Sequence, residues 1–368
     1  MYDMRRYVFM IRIRKSVRRR IMKYLSLTIC AAIFCAVMLG IPAVAKVIPD
    51  EVCAFLASRI MKEEYARMRR EFAAAYVEEE SILTCEPVSL AAVLGYDYEE
   101  EPSPGVPDGV ELVGTVDLRG WSGTPRLIIR NATSYNADIS AMAESEWPVK
   151  TKNADLPTVL IIHTHGTEGY LPSGGFYYTE DEDYRSTDIT ENVVAAGTVI
   201  CNALNAAGIV TVHDTVMYDE KSYTDAYTAS RRAASEWLFR YPSIVYIIDV
   251  HRDAIVNSEG VNCKPICEIG GRESAQVMLL IGTDEAGADH ADWRTNLTVA
   301  AKIQQQMNTL FPGLARPISL RSASFNQQLA PGYMLLEIGS CVNTIDEAKY
   351  AAELFSESFI AAYREGNG

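Results

Sequence analysis

Histidine is scarce in this chain, with five among 368 residues. Basic residues become scarce once the first 23 positions are passed. Those positions hold nine Lys/Arg and one Asp, so the other 345 residues carry a formal charge of −22 against −14 for the whole chain. A body that acidic has no generic surface for phosphate backbones, which excludes nucleic acid as a partner. Cysteine is thinly scattered. The eight positions (Cys30, Cys35, Cys53, Cys85, Cys201, Cys263, Cys267 and Cys341) form no dense framework, which excludes a small disulfide scaffold. Cys263-Lys-Pro-Ile-Cys267 has no second cysteine pair after it, so a loop disulfide is expected there rather than a zinc half-site. The helix-borne metalloprotease motif His-Glu-x-x-His is absent, and so is any internal repeat. A chain that is 48% hydrophobic and 22% charged is neither disordered, collagenous nor a coiled coil.

What the chain does have begins at its basic end. Tyr24 to Ala45 runs 22 residues without a charge, between Lys23 and Lys46. About 20 apolar residues span a bilayer as a helix, and a basic flank stays on the cytoplasmic side. A retained single-pass anchor is therefore expected, with the body on the outer, cell-wall side. Ala43-Val44-Ala45 also fits a small-x-small cleavage site, so a removable signal peptide stays open as the alternative. Val52 to Glu80 has helical spacing of Phe55, Ile60, Tyr65, Met68, Phe72 and Tyr76, and predicts a juxtamembrane helix. The acids, prolines and glycines between Tyr96 and Gly109 mark a linker. The expected organisation is thus a basic segment 1–23, an anchor or signal 24–45, a helix and linker 46–110, and one domain 111–368.

Within that domain apolar runs alternate with amphipathic stretches. Strands are predicted at Arg126–Arg130, Thr158–Ile162, Ile209–Val212, Ile244–Val250, Gln276–Ile281 and Tyr333–Leu336, and helices at Glu191–Ala207, Tyr223–Phe239, Asn296–Leu310 and Thr344–Tyr363. The four-residue run Val159–Ile162 has no polar member, as in a strand buried on both faces. This alternation predicts an α/β fold, a mostly parallel sheet flanked by helices on both faces.

Chemistry-bearing residues fall at the ends of these strands. His163 and His165 follow Val159–Ile162, His251 follows Ile244–Val250, and Glu337 follows Tyr333–Leu336. Ligands in open α/β sheets bind beyond the carboxyl ends of strands. Glu191, opening a predicted helix, is a fourth candidate for the same edge. Two imidazoles and a carboxylate form a three-ligand zinc set that leaves a position for water. Arg252, Asn326 and Gln327 are candidates for holding substrate, with Arg252 alternatively pairing with Asp253. Glu168 is expected to be a solvated loop residue, and His213 and His290 to be structural or exposed.

At these residues the chain resembles a known family. Pro157-Thr-Val-Leu-Ile-Ile-His-Thr-His-Gly-Thr-Glu-Gly-Tyr170, Thr190-Glu-Asn-Val-Val-Ala-Ala-Gly197, Asp249-Val-His-Arg-Asp253, Phe325-Asn-Gln-Gln-Leu329 and Leu336-Glu-Ile-Gly339 with Asn343-Thr344 are similar to the stage II sporulation protein P family. The resemblance runs from Leu127 to the C-terminus and extends to the anchor and linker. It implies a membrane-anchored peptidoglycan hydrolase of endospore engulfment, cutting the N-acetylmuramoyl-L-alanine amide and also peptide crosslinks. A lytic transglycosylase and a membrane protein are the partners it implies in an engulfment complex. The family in turn resembles zinc-dependent N-acetylmuramoyl-L-alanine amidases, which implies an amidase/phosphorylase-like fold. Carried over, the zinc ligands are His165, Glu191 and His251, and the catalytic carboxylate is Glu337. His163 has no counterpart there, so either His163 or His165, or both, are left as ligands. Two other functions compete: a catalytically inactive wall-binding or scaffold module, and a zinc peptidase of other specificity.

Overall fold

The computed structural model describes residues 110–179, 184–290 and 292–367. The expected basic segment, anchor, juxtamembrane helix and linker lie outside the described residues. Among the described residues no helix is long and apolar enough to cross a membrane.

The chain starts with β1 (Glu111–Leu112), β2 (Gly114–Val116), β3 (Ile129–Asn131) and a short helix α1 (Ile139–Glu144). There follow β4 (Val159–Ile162), β5 (Tyr177–Tyr178), α2 (Val193–Ala206), β6 (Thr211–His213), α3 (Ala226–Arg240) and β7 (Tyr246–Asp253). Next come β8 (Ile255–Val256), β9 (Asn262–Ile269), β10 (Arg272–Ala275), β11 (Val277–Gly282), α4 (Trp293–Leu310), β12 (Ile318–Arg321), β13 (Gly332–Ser340) and α5 (Ile345–Asn367). Seven strands form the main sheet in the order β3-β12-β11-β13-β7-β4-β6.

All four residues of β4 are fully buried, as an apolar run covered on both faces must be. Val159 and Ile161 join the larger core beneath α1, α2, α4 and α5, whereas Leu160 and Ile162 join the smaller core beneath α3. This is the two-residue alternation of a strand, and it places helices on both faces. Helix α2 starts at Asn192, whose side chain accepts from Val194 N, and it stops at Gly208 with φ +83°.

The expected mostly parallel sheet needs correction. β6, β4, β7 and β13 are mutually parallel, as are β3, β12 and β11, but β11 and β13 join the two blocks antiparallel. The carboxyl ends of one block therefore share an edge with the amino ends of the other. A second sheet of β10-β9-β2, with β8 on β9, includes both parallel and antiparallel pairs. The expected loop disulfide is also corrected. Cys263 and Cys267 lie on one extended strand, about 13 Å apart at 3.3 Å per residue, beyond the reach of a disulfide. Cys201 and Cys267 are free thiols.

Candidate active site

Strand pairing brings two of the expected residues side by side. Glu337 on β13 is the register partner of His251 on β7. Both lie inside their strands rather than after them, because the β7–β13 ladder continues through these polar positions. The ladder is interrupted only beyond Glu337, where Gly339 takes φ +63°. A Cβ on Gly339 would stand 2.4 Å from Asn343 Oδ1, so glycine is required there.

His165 reaches His251 from the turn after β4. Their ring centroids are 5.4 Å apart at 73°, and both residues are buried. Tyr223 stacks on His165 at 4.3 Å and 19°, and Tyr227 meets it edge-on at 5.5 Å. His165 Nδ1 is buried without a hydrogen-bond partner, and Asp219 Oδ2 stands 3.7 Å away. His251 lies between two carboxylates, with Nδ1 3.3 Å from Glu168 Oε2 and Nε2 3.1 Å from Asp249 Oδ1. The Nε2 contact lacks hydrogen-bond geometry.

The charges around His251 sustain one another. Burial opposes the imidazolium, but Asp249 and Glu168 outweigh it and hold the ring well above the ordinary histidine range. Burial likewise opposes charge on Asp249, and His251 with the Thr164 donors outweighs it. Asp249 Oδ1 accepts from Thr164 N at 2.8 Å, and Oδ2 from Thr164 Oγ1 at 2.6 Å. Glu337 has the opposite fate. Its Oε2 is buried with no hydrogen-bond partner. Burial first, then the neighbouring Asp253, push its carboxyl up to about 8 against the pull of His251.

His163 is not brought into this group. Its Nδ1 lies 3.2 Å from Val250 O and its Nε2 2.8 Å from His213 Nε2. A carbonyl only accepts, so Nδ1 carries the proton, Nε2 accepts, and His213 Nε2 donates. Both nitrogens of His163 are thereby used within the protein. A Cβ on Gly197 of α2 would stand 2.6 Å from the His163 ring, so the pair occupies the space that glycine leaves. Burial and then His213 push His163 down to about 3, and burial pushes His213 down to about 4.

Glu191 lies one residue before the Asn192 cap, and its carboxylate is on the surface, accepting from Ser186 Oγ at 3.1 Å. Its backbone is tied to the turn after His165, with Tyr170 N donating to Glu191 O at 3.0 Å and Val193 N to Glu168 O at 2.9 Å. Among the described residues no group of three or more His, Cys, Asp or Glu side chains converges closely enough to hold a metal ion. Nitrogen donors that suit zinc are nevertheless present, since the buried imidazoles of His165 and His251 face each other and His251 Nε2 makes no hydrogen bond.

The expected substrate contacts are built into the protein instead. Arg252 donates from Nε to Gly169 O and from Nη2 to Tyr184 O, while Asp253 pairs with Arg316 at 2.8 Å. Asn326 Nδ2 donates to Tyr227 O at 2.8 Å. Gln327 is fully buried, accepting from Gly282 N and donating to Leu280 O, out of reach of any substrate. Glu168, expected in solvent, is 8% exposed and accepts from Arg252 N at 3.1 Å. Asp249 and Asp219 were not foreseen. Asp249 had a signal, standing two residues before His251 and so on the same face of its strand. Asp219 had none.

A family model described as Stage II sporulation protein P matches residues 128–360. The stage II sporulation protein P of Bacillus subtilis strain 168 is 27% identical over 227 residues, which cover 58% of this chain and 53% of that protein. The chain thus spans about half the length of this curated relative. Among solved structures, an N-acetylmuramyl-L-alanine amidase from Mycobacterium smegmatis is similar at TM-score 0.32 and 14% identity, over 57% of this chain and 95% of that one. The CwlD amidase from Clostridioides difficile, solved with the GerS lipoprotein, is similar at TM-score 0.35 and 13% identity, over 57% and 98%. Scores this low establish neither a shared topology nor a shared chemistry.

Proposed function

The chain belongs to the stage II sporulation protein P family, and from that premise we propose that it is a cell-wall hydrolase of sporulation. Its substrate is peptidoglycan, and the bond it cuts is the N-acetylmuramoyl-L-alanine amide. The observation that carries this reading is the placement of Glu337 in register beside His251, with an uncommitted buried carboxyl oxygen. A carboxyl raised to about 8 keeps its proton at neutral pH and can pass it to a departing amine. His165 and His251 face each other beside this carboxyl, and Glu168 and Asp249 hold His251 from either side.

The cofactor in this proposal is zinc, held by His165 and His251 with Glu191 as the third ligand. When bound it supplies a Lewis acid that polarises the scissile carbonyl and acidifies water. Glu337 is not a ligand in this scheme but the acid/base beside the reacting bond. An anchor at residues 24–45 places the domain on the outer face of the membrane, against its substrate.

The test is Glu337→Gln, which keeps shape and removes the ionisable proton. Muropeptide release from purified wall, followed by mass spectrometry, falls about 10²-fold or more, the usual scale for a lost general acid/base. Fold and zinc content stay at wild-type values. The released fragments separate amide cleavage from crosslink cleavage. Near-normal release by a folded, zinc-loaded variant would remove Glu337 from the chemistry.

A further inference from the structure

We propose that Asp219 is a positioning residue for His165, fixing the proton on Nδ1 and so leaving the lone pair on Nε2. The inference rests on the reading of His165 as a zinc ligand, and it adds the residue that prepares that ligand.

The Asp219 side chain is fully buried, yet it has been given a complete set of donors. Oδ1 accepts from Thr167 N at 3.1 Å, and Oδ2 accepts from Thr167 Oγ1 at 2.6 Å and Arg185 Nη1 at 2.5 Å. Arg185 Nη1 also reaches Thr167 Oγ1 at 2.7 Å, closing a three-residue ring of polar contacts. A buried carboxylate is costly unless it is paired and hydrogen-bonded, and this one is held ionised and fixed in direction. Its Oδ2 faces His165 Nδ1 at 3.7 Å.

That nitrogen makes no hydrogen bond of its own. A carboxylate only accepts, so the field at Nδ1 favours the tautomer with hydrogen there and a lone pair on Nε2. The ring itself cannot swing away. Tyr223 stacks on its face, and the Arg185 guanidinium lies 4.9 Å from the Tyr223 centroid. Arg185 contacts both the carboxylate and the aromatic ring, but Thr167 supplies two of the three donors that fix the carboxylate. Carboxylates behind histidine ligands raise ligand basicity and fix orientation, and losing them costs about 10–100-fold in metal affinity.

The experiment uses the full chain in detergent micelles with ring-¹⁵N histidine, where five histidines keep the spectrum tractable. Long-range ¹H–¹⁵N correlations on the zinc-free protein report the His165 tautomer, and competition titration with zinc reports affinity. Wild type shows hydrogen on Nδ1. Asp219→Asn, which is isosteric, shows mixed tautomers and binds zinc about 10–100-fold more weakly. Arg185→Gln keeps the carboxylate, so it retains the Nδ1–H tautomer and most of the affinity. This surface-side variant also carries the test if Asp219→Asn fails to fold, since loss of the Nδ1–H tautomer in it would overturn the proposal. An unchanged tautomer in folded Asp219→Asn would overturn it too. Wild-type protein that binds no zinc while showing the Nδ1–H tautomer would sink the zinc reading and leave the role of Asp219 standing.

Discussion

Two histidines, His163 and His165, follow β4, and each meets a histidine from a neighbouring strand, His213 on β6 and His251 on β7, in opposite environments. His163 and His213 satisfy one another, with Nε2 to Nε2 at 2.8 Å, and His163 spends its other nitrogen on Val250 O. His165 and His251 face each other across 5.4 Å and make no hydrogen bond between them. Their nitrogens point at the carboxylates Asp219, Glu168 and Asp249. One pair sits against Gly197 as a buried filler kept neutral, and in the other His251 lies between two carboxylates that hold it charged. Residue type and the end of β4 are shared by His163 and His165, so it is the group opposite each nitrogen that distinguishes the two pairs.

The contrast can be broken most strongly at His251. Its replacement by asparagine removes the imidazolium held between Glu168 and Asp249, and wall hydrolysis is expected to fall by about 10²-fold or more, the scale of losing a group that proton transfer depends on. Muropeptide release per folded molecule checks this. Gly197→Val attacks the other pair, because a Cβ there would stand 2.6–2.9 Å from the His163 and His213 rings. Overpacking of this kind costs about 1–3 kcal/mol, read as a lowered denaturation midpoint. His163→Phe is expected to cost a similar or smaller amount, about 1–3 kcal/mol, because His213 Nε2 then lacks its acceptor. Hydrolysis per folded molecule is expected to be unchanged in that variant, and a large loss would place His163 in the chemistry.

The last expected effect is on pH dependence. Burial lowers His213 from about 6.5 to about 4 in the folded protein. Between those values the unfolded chain holds a proton that the folded protein does not, so stability falls as pH falls from about 6.5 to about 4. At most about 1.4 kcal/mol per pH unit comes from one such group. His213→Gln should flatten the dependence of the thermal midpoint on pH across that window. An unaltered slope would show that His213 is not a source of it.

Much of this fold was legible because burial on both faces leaves a mark in sequence. Val159–Ile162 contains nothing polar, and Gly208 ends a helix where its φ of +83° requires glycine. The register that brings Glu337 beside His251 was not legible, since sheet order is set by tertiary packing. Neither was the antiparallel β11–β13 junction. Glu168 illustrates the remaining gap. Exposed glutamate is the norm, and only its contacts with His251 and Arg252 explain why this one is buried. Cys263 and Cys267 do not form the expected loop disulfide because the segment between them, Pro265 included, is extended within β9. Arg252 and Gln327, expected to hold substrate, bond main-chain groups of the protein itself, which their sequence could not show.

The central claim is that His165 and His251, rather than His163, form the metal-binding half of the site. Zinc content per folded molecule, measured by elemental analysis on full-length His163→Gln, His165→Gln and His251→Gln proteins after dialysis, tests it most directly. The account predicts one zinc in the wild type and in His163→Gln, and none in the other two. Loss of zinc from His163→Gln with retention in His251→Gln would contradict it.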